Sequence, residues 1–515
     1  MSHHKPDPAK NVNLSIDGLP VTVPQGFTIL EAARKAGVSI PTLCEHPALG
    51  RRAVCRLCVV ECDGGGKLKA ACANTVWEGA RVVTNNARIL NIRRMILELL
   101  LANHPQDCLN CVRSKNCELQ SLAELFSIRS SPFRHEAADL RRPETEQETL
   151  VRDMAKCVKC GRCVEVCQEV QTVRAITTAH RGVNFAITAP YNQALAEGPC
   201  VYCGQCAEVC PVGAIYEYDQ TDAVRAALND PERHVVTRIT PEVQAGLDGA
   251  FGRAGETVTA GKMVTAIKRL GFDTVFDTRF FTGVTVREED RELLDRIKNK
   301  GRLPMISGCS PAVLRFIEVF YPDLRDHLFT GKSPQQTFGA LVKTRCSPAA
   351  GIDPSKITAV SITPCIAQKF EARRPGIHSS AFREVDSVLT TRELIRMIKL
   401  AGIDCAGLPE SPFDSVRGFS ADAETASGSS GGGMETVPRT EAFGAEIPSP
   451  VDCKEPRRGI SRTELDLAGT TIKAQSAQGL ANARVILDSI RSGECDAAFV
   501  EISICPDGCN GGRSG

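Results

Sequence analysis

Cys157-Val158-Lys159-Cys160-Gly161-Arg162-Cys163-Val164-Glu165-Val166-Cys167 is matched further on by Cys200-Val201-Tyr202-Cys203-Gly204-Gln205-Cys206-Ala207-Glu208-Val209-Cys210-Pro211. In both runs the gaps between cysteines are two, two and three residues. Cysteines this close direct their sulfurs at one shared centre and not at distant partners. The chain has 24 cysteines in 515 residues, and sixteen of them precede residue 211. A secreted disulfide framework is usually short and lacks such sets. The pattern therefore points to metal or iron–sulfur ligation.

The repeat is the run of a two-cluster ferredoxin, in which the fourth cysteine crosses to the other cluster. One [4Fe–4S] cluster is expected on Cys157, Cys160, Cys163 and Cys210, the other on Cys200, Cys203, Cys206 and Cys167. Working towards the N-terminus, His104 stands close before Cys108, Cys111 and Cys117. Three thiolates lack a fourth ligand there, and an imidazole supplies it while leaving the cluster less negative. Earlier still, Cys44, Cys55, Cys58 and Cys72 are separated by ten, two and thirteen residues. A close central pair with one distant cysteine on each side suits a loop-wrapped [2Fe–2S] centre; four thiolates also suit structural zinc. Cys62 fits no gap and reads as a bystander. Before these, two alternating runs, 12–16 and 19–23, flank Asp17-Gly18, a hairpin signal. Thr28 with Glu31 then predicts a capped helix.

Composition narrows the classes. The chain is 42% hydrophobic with net charge +1, has one tryptophan and five tyrosines, and contains no basic block. Nucleic-acid binding is not indicated. No apolar run approaches the length of a membrane span, and Met1-Ser2-His3-His4-Lys5-Pro6 does not read as a signal peptide. A cytoplasmic protein is expected. No Gly-x-Gly-x-x-Gly follows a strand, so no nicotinamide site is expected on this chain. Ser427 to Gly433 has loop composition. Cys346, Cys405, Cys453 and Cys495 fit no cluster gap and read as packing residues.

The order of the three cysteine blocks resembles the N-terminal half of [FeFe] hydrogenases, and the first two also resemble the large iron–sulfur subunit of respiratory complex I. Arg152-Asp153-Met154-Ala155-Lys156-Cys157, Phe320-Tyr321-Pro322-Asp323-Leu324, Lys332-Ser333-Pro334-Gln335-Gln336 and Leu389-Thr390-Thr391-Arg392-Glu393-Leu394 are similar to that family, and the likeness runs from about residue 12 to 512. It implies a multidomain α/β chain. The segments are a β-grasp [2Fe–2S] domain at 10–88, a [4Fe–4S] segment with one histidine and three cysteines at 89–128, and a two-cluster ferredoxin domain at 148–220. A two-lobed hydrogenase-like domain follows at 221–515, truncated after its third cysteine loop.

The family's active centre is a cubane joined through one cysteine to a diiron unit. On that resemblance Cys365, Cys505 and Cys509 match ligand positions, Cys509 at the bridging place. The first loop commonly carries two cysteines before its proline, one a ligand and one a proton relay. Here it reads Cys309-Ser310-Pro311, which leaves the role of Cys309 open between the two. Glu289 and Glu292 match the proton-path carboxylates. Other positions depart from the family: Thr363 and Ser503 replace methionines, Gln368 replaces a lysine, Val313 replaces an aromatic, and the ending is Gly511-Gly512-Arg513-Ser514-Gly515. Groups around a metal centre orient and tune it. The glutamine is expected to remove a cation, and the two hydroxyl residues to alter packing and solvent access.

The expectation is an iron–sulfur electron-transfer subunit with one [2Fe–2S] cluster, three [4Fe–4S] clusters and a fourth [4Fe–4S] in a degenerate terminal site without a diiron unit. The resemblance implies a hetero-oligomer with a flavin- and NAD(P)-binding iron–sulfur subunit and a small [2Fe–2S] subunit, linked to ferredoxin and of the electron-bifurcating kind. A working hydrogenase is the alternative, and a structural iron–sulfur scaffold is the alternative of another class.

Overall fold

The computed structural model describes residues 7–64, 66–133, 143–146, 148–253, 256–308, 310–374, 382–415, 459–467 and 470–505. Cys309, Cys453, Cys509, the stretch 427–433 and the ending 511–515 lie outside them.

The alternating runs at the N-terminus form β1 (Asp7–Ile16) and β2 (Leu19–Gln25), with Ile16 opposite Leu19. Asp17 and Gly18 both take positive φ, 51° and 82°, as the tight primed turn between twisted strands requires. The helix Ile29–Lys35 begins at Thr28, whose hydroxyl accepts the Glu31 N–H at 3.1 Å while the Glu31 carboxylate accepts the Thr28 N–H at 2.6 Å. β3 (Val59–Cys62), β4 (Lys67–Ala70) and β5 (Arg81–Val83) complete a sheet of order β2-β1-β5-β3-β4. Val12, Leu14, Ile16, Val23, Ile29 and Leu30 fill its core, and Cys62 is buried among them.

The helices Ala87–Ala102 and Glu118–Leu125 bracket the His104 to Cys117 segment. Leu97 and Leu119 share a small core with Leu43, Leu57 and Val212. That core draws the first cysteine loop, the histidine segment and the second cysteine run together. β6 (Glu144–Glu146) and β7 (Leu150–Arg152) precede the first run. The hairpin β8 (Thr177–Ala179) and β9 (Ala186–Thr188) lies between the runs, and β10 (Ile215–Glu217) returns to pair with β7.

The rest of the chain is built on two sheets. β11 (His234–Ile239), β12 (Thr274–Asp277), β14 (Ile357–Ile362) and β15 (Ser387–Leu389) form a wholly parallel sheet of order β12-β11-β14-β15. Every residue of β14 is buried, as a parallel strand covered on both faces demands. β13 (Met305–Gly308), β16 (Ile460–Leu467), β17 (Thr470–Gln478) and β18 (Phe499–Ser503) form the second, of order β13-β18-β17-β16, parallel except for β16. Open parallel sheets present their binding crevice beyond the carboxyl ends of the strands. β13 ends one residue before Cys309, β14 three before Cys365 and β18 two before Cys505. All three cysteine loops therefore leave from strand ends of that kind.

A buried ion pair fixes the helix that carries the middle loop. Lys369, with no exposed surface, donates to the Glu393 carboxylate at 2.8 and 3.0 Å and to the Val388 carbonyl at 2.7 Å. Removing one partner of such a pair strands the other charge. Glu393→Ala is expected to destabilise this sheet by about 3–5 kcal/mol, read as a lower denaturant midpoint for its unfolding. A loss under about 1 kcal/mol, the range of exposed pairs, contradicts the burial.

Candidate iron–sulfur sites

Among the described residues, no three histidine, cysteine or carboxylate side chains converge closely enough to hold a single metal ion. The groupings are of thiols that touch in pairs or sense one another electrostatically. In the first, Cys58 and Cys72 lie with sulfurs 3.3 Å apart, and the Cys55 N–H points at the Cys44 sulfur from 3.5 Å. Contact with Cys55 brings the Cys44 thiol down to about 6 and contact with Cys72 brings Cys58 down to about 7, while Cys55 and Cys72 are pushed up. Cys72 feels all three of the others. Cys62 feels none of them and is raised by burial.

The histidine segment forms a second group. Burial raises the Cys117 thiol, and Cys111 and Cys108 both act on it. His104 is held below the usual imidazole range by burial and by the Lys156 ammonium. Its Nδ1 is buried with no hydrogen-bond partner. An orphaned imidazole nitrogen is costly, and a metal would satisfy it. Lys156 also senses Cys111, which ties the histidine to the thiols. Cys111 sits against Gly213, where a Cβ would come within 2.7 Å of the sulfur.

The two repeats are brought together in crossed fashion. Cys157, Cys160, Cys163 and Cys210 line one small cavity, with Val158, Ile187 and Ile215 among its apolar walls. Cys167 is not part of that cavity; it acts on Cys200, Cys203 and Cys206 instead. Burial pushes Cys157 up to about 11 and Cys160 and Cys200 up to about 12, and it raises Cys163 and Cys206 further. Ionising such thiols needs a positive centre beside them. Iron would provide one. The donor sets thus suit sulfide-bridged iron in number and chemistry.

The last group is only partly within the described residues. Ser310 Oγ lies 4.0 Å from the Cys365 sulfur. Thr363 Oγ1 accepts the Cys365 N–H at 3.2 Å, and Ser503 Oγ donates to the Cys505 carbonyl at 3.2 Å. Both side chains are buried, and these bonds pin the cysteine loops. Gln368 Oε1 accepts from Nη2 of Arg238 at 2.7 Å. The neighbouring Lys369 points away to Glu393. Val313 is buried and packs against Gly308. Glu289 accepts from Ser307 Oγ at 2.5 Å; Glu292 accepts from Arg296 at 2.5 Å and from Thr330 Oγ1 at 2.7 Å.

Bridging residues were not singled out by the cysteine spacing. Arg162, 3% exposed, donates to both oxygens of Glu118, at 2.5 and 2.8 Å, and to the Glu45 carbonyl at 2.7 Å. It joins the neighbours of Cys44, Cys117 and Cys163. Gln205 Nε2 approaches the Cys505 sulfur at 3.8 Å, and Gln171 Nε2 donates to the Ile504 carbonyl at 3.0 Å. Tyr202 stacks on Phe370 with centroids 4.6 Å apart. The second cysteine run therefore abuts the loops of Cys365 and Cys505. The signal for Arg162 was its place inside the first run, between the second and third cysteines.

Comparison with known proteins agrees with this geometry. Residues 233–513 match the family described as iron only hydrogenase large subunit, C-terminal domain. Residues 9–87 match a 2Fe-2S iron-sulfur cluster binding domain, 93–132 the NADH-ubiquinone oxidoreductase-G iron-sulfur binding region, and 148–216 the ferredoxin-like domain of NADH-quinone oxidoreductase subunit 3. The chain belongs to the iron-only hydrogenase large-subunit family and is an iron–sulfur oxidoreductase subunit with [2Fe–2S]- and [4Fe–4S]-binding domains.

Among particular proteins, it is 39% identical to the NADP-reducing hydrogenase subunit HndD of Solidesulfovibrio fructosivorans over 97% of this chain and 88% of that one. It is 34% identical to iron hydrogenase 1 of Clostridium pasteurianum, over 96% and 88%. A solved structure of a variant of the [FeFe]-hydrogenase HydA1 from Chlamydomonas reinhardtii superposes with a TM-score of 0.51 at 30% identity, covering 57% of this chain and 84% of that one. Among the described residues no helix is long and apolar enough to cross a membrane.

Arg162→Ala removes charge-assisted hydrogen bonds that are worth about 1.5–3 kcal/mol to a buried partner. The amides of Cys55 and Glu118 are expected to exchange with deuterium roughly tenfold faster or more. Unchanged exchange at both places would show that the three loops are held by other contacts.

Proposed function

We propose that this chain is the electron-wiring subunit of a cytoplasmic NAD(P)-linked complex, of the electron-bifurcating kind, and that its terminal site holds a [4Fe–4S] cluster without a diiron unit. The β-grasp sheet holds one [2Fe–2S] cluster on Cys44, Cys55, Cys58 and Cys72. One [4Fe–4S] cluster is held by His104, Cys108, Cys111 and Cys117. Two more sit on the crossed sets, Cys157, Cys160, Cys163 with Cys210, and Cys200, Cys203, Cys206 with Cys167. Cys365, Cys505, Cys509 and Cys309 serve the terminal one. Bound clusters supply one-electron steps. The protein's part is to hold them in series and exclude water between them. A flavin- and nucleotide-binding subunit and a small [2Fe–2S] subunit are the partners, with ferredoxin as a further carrier. The name of the NADP-reducing relative supports the nucleotide link.

The observation that carries the reading of the terminal site is the clamping of Gln368. The side chain at the family's lysine position is a neutral amide, and its oxygen is already engaged by Arg238, so it offers no cation to the polar ligands of a diiron unit. A second reading, a working hydrogenase, is favoured by one observation. Glu289 and Glu292 both lie on the helix Thr278–Lys298 and both keep hydrogen-bond partners.

Maturation of the anaerobic full chain with a synthetic diiron cofactor separates the two. The expected outcome is no infrared band from iron-bound carbonyl or cyanide and no hydrogen evolution from reduced viologen. Bands together with turnover establish the hydrogenase instead. Cys365→Ser is expected to lower iron and acid-labile sulfide by the content of one cubane, and an unchanged content contradicts a cluster at the terminal site. Failure of any low-potential donor to reduce the clusters would leave only a scaffold role.

A further inference from the structure

Arg238 is the largest of the fully buried side chains, 2% exposed, in the middle of a parallel sheet. Its Nε donates to Ser361 Oγ at 3.1 Å, Nη1 to Thr278 Oγ1 at 2.5 Å and Nη2 to Gln368 Oε1 at 2.7 Å. All three acceptors are neutral, and Arg238 forms no ion pair among the described residues. Glu371 and Glu242 act on it from beyond ion-pair distance. Glu371 is itself buried and is bonded by Gln335 at 2.9 Å, so its carboxylate is turned to another partner.

A guanidinium stays protonated in proteins. The fold thus encloses a full positive charge, and neutral acceptors reduce its desolvation cost without cancelling it. The remaining group that acts on it is the Cys365 thiol. Ser361 and Gln368 lie on either side of Cys365 in sequence, and both side chains are turned to the guanidinium. The charge that completes the site is therefore an anion beside Cys365.

We infer that Arg238 is the counter-charge of an anionic iron–sulfur centre gripped at Cys365, a positioning residue that raises the reduction potential of that centre. The inference rests on the proposed reading that Cys365 ligates a cluster. One-electron reduction by a low-potential donor adds one negative charge to the centre and breaks no bond. A fixed cation in a low-dielectric interior stabilises the reduced form over the oxidised one. Arg238 thus takes up on the protein side the role of a charge that Gln368 cannot supply, and it does so from a strand instead of from the cysteine loop.

The test is a redox titration of the anaerobic full chain, followed by electron paramagnetic resonance. The relevant signal is the one lost in Cys365→Ser. Arg238→Met is expected to shift the oxidised-to-reduced ratio of that signal at fixed potential by about tenfold or more towards the oxidised form, which is ~59 mV for one electron. Arg238→Lys, which keeps the charge and loses the fork, is expected to stay near the unmodified protein. A purely structural role predicts that both variants fail alike. Should Arg238→Met not fold, Gln368→Glu decides, because it sets a carboxylate against the guanidinium and neutralises it within a hydrogen bond already formed. It is expected to lower the midpoint in the same direction. An unchanged midpoint in a folded, cluster-loaded Arg238→Met or Gln368→Glu variant overturns the inference and leaves the cluster reading intact. Absence of any Cys365-dependent signal in the unmodified chain overturns both.

Discussion

A thiolate buried away from water needs a positive neighbour, and this chain buries many thiols in groups. Burial holds Cys157, Cys160 and Cys200 far above the range in which a thiol ionises unaided. Sulfide-bridged iron would supply that charge, and it would occupy the cavity that Cys157, Cys160, Cys163 and Cys210 line. The local structure is arranged around that need. Gly161 and Gly204, each following the second cysteine of its run, take φ of 78° and 75°, which turns the chain sharply so that the third sulfur faces the first two. A side chain at either position would be strained.

The groups are not independent. Arg162 converts three separate loops into one body, since a single guanidinium reaches Glu45 beside Cys44 and Glu118 beside Cys117 from within the first run. The apolar core of Leu43, Leu97, Leu119 and Val212 does the same by packing. At the other end, Gln171 and Gln205 bond to the loop of Cys505. Among the described residues the cysteine groups therefore follow one another from the N-terminal sheet to the carboxyl ends of the parallel strands β14 and β18.

Much of this was legible in the sequence for a physical reason: ligand spacing is local. The hairpin at Asp17-Gly18 and the capping box at Thr28 follow from residues near one another in the chain, and the internal repeat is what leads one to look for Cys210 beside the first run and Cys167 beside the second. What escaped the sequence depends on contacts distant in the chain. Arg238 and Gln368 are 130 residues apart, and nothing in either segment alone says that they meet. The lone arginine in the apolar run His234–Ile239 was the available signal, since a charge in a fully covered strand needs a reason. Thr363 and Ser503 act locally instead, each hydroxyl bonding to the backbone of the cysteine two residues on. As side chains they are poorer packers than methionine, but their hydroxyls find backbone partners that only the folded loops provide.

The close approach at Gly204 reaches beyond its own turn. A Cβ there would come within 2.9 Å of Ile366, the residue after Cys365, so the ferredoxin-like run and the hydrogenase-like lobe meet at a contact with no slack. Modules that touch through such a seam cannot be traded freely between relatives. A chimaera that joins the front half of one family member to the rear half of another must bring both sides of this contact from the same parent, or accept a gap or a clash on the route between the two cysteine groups.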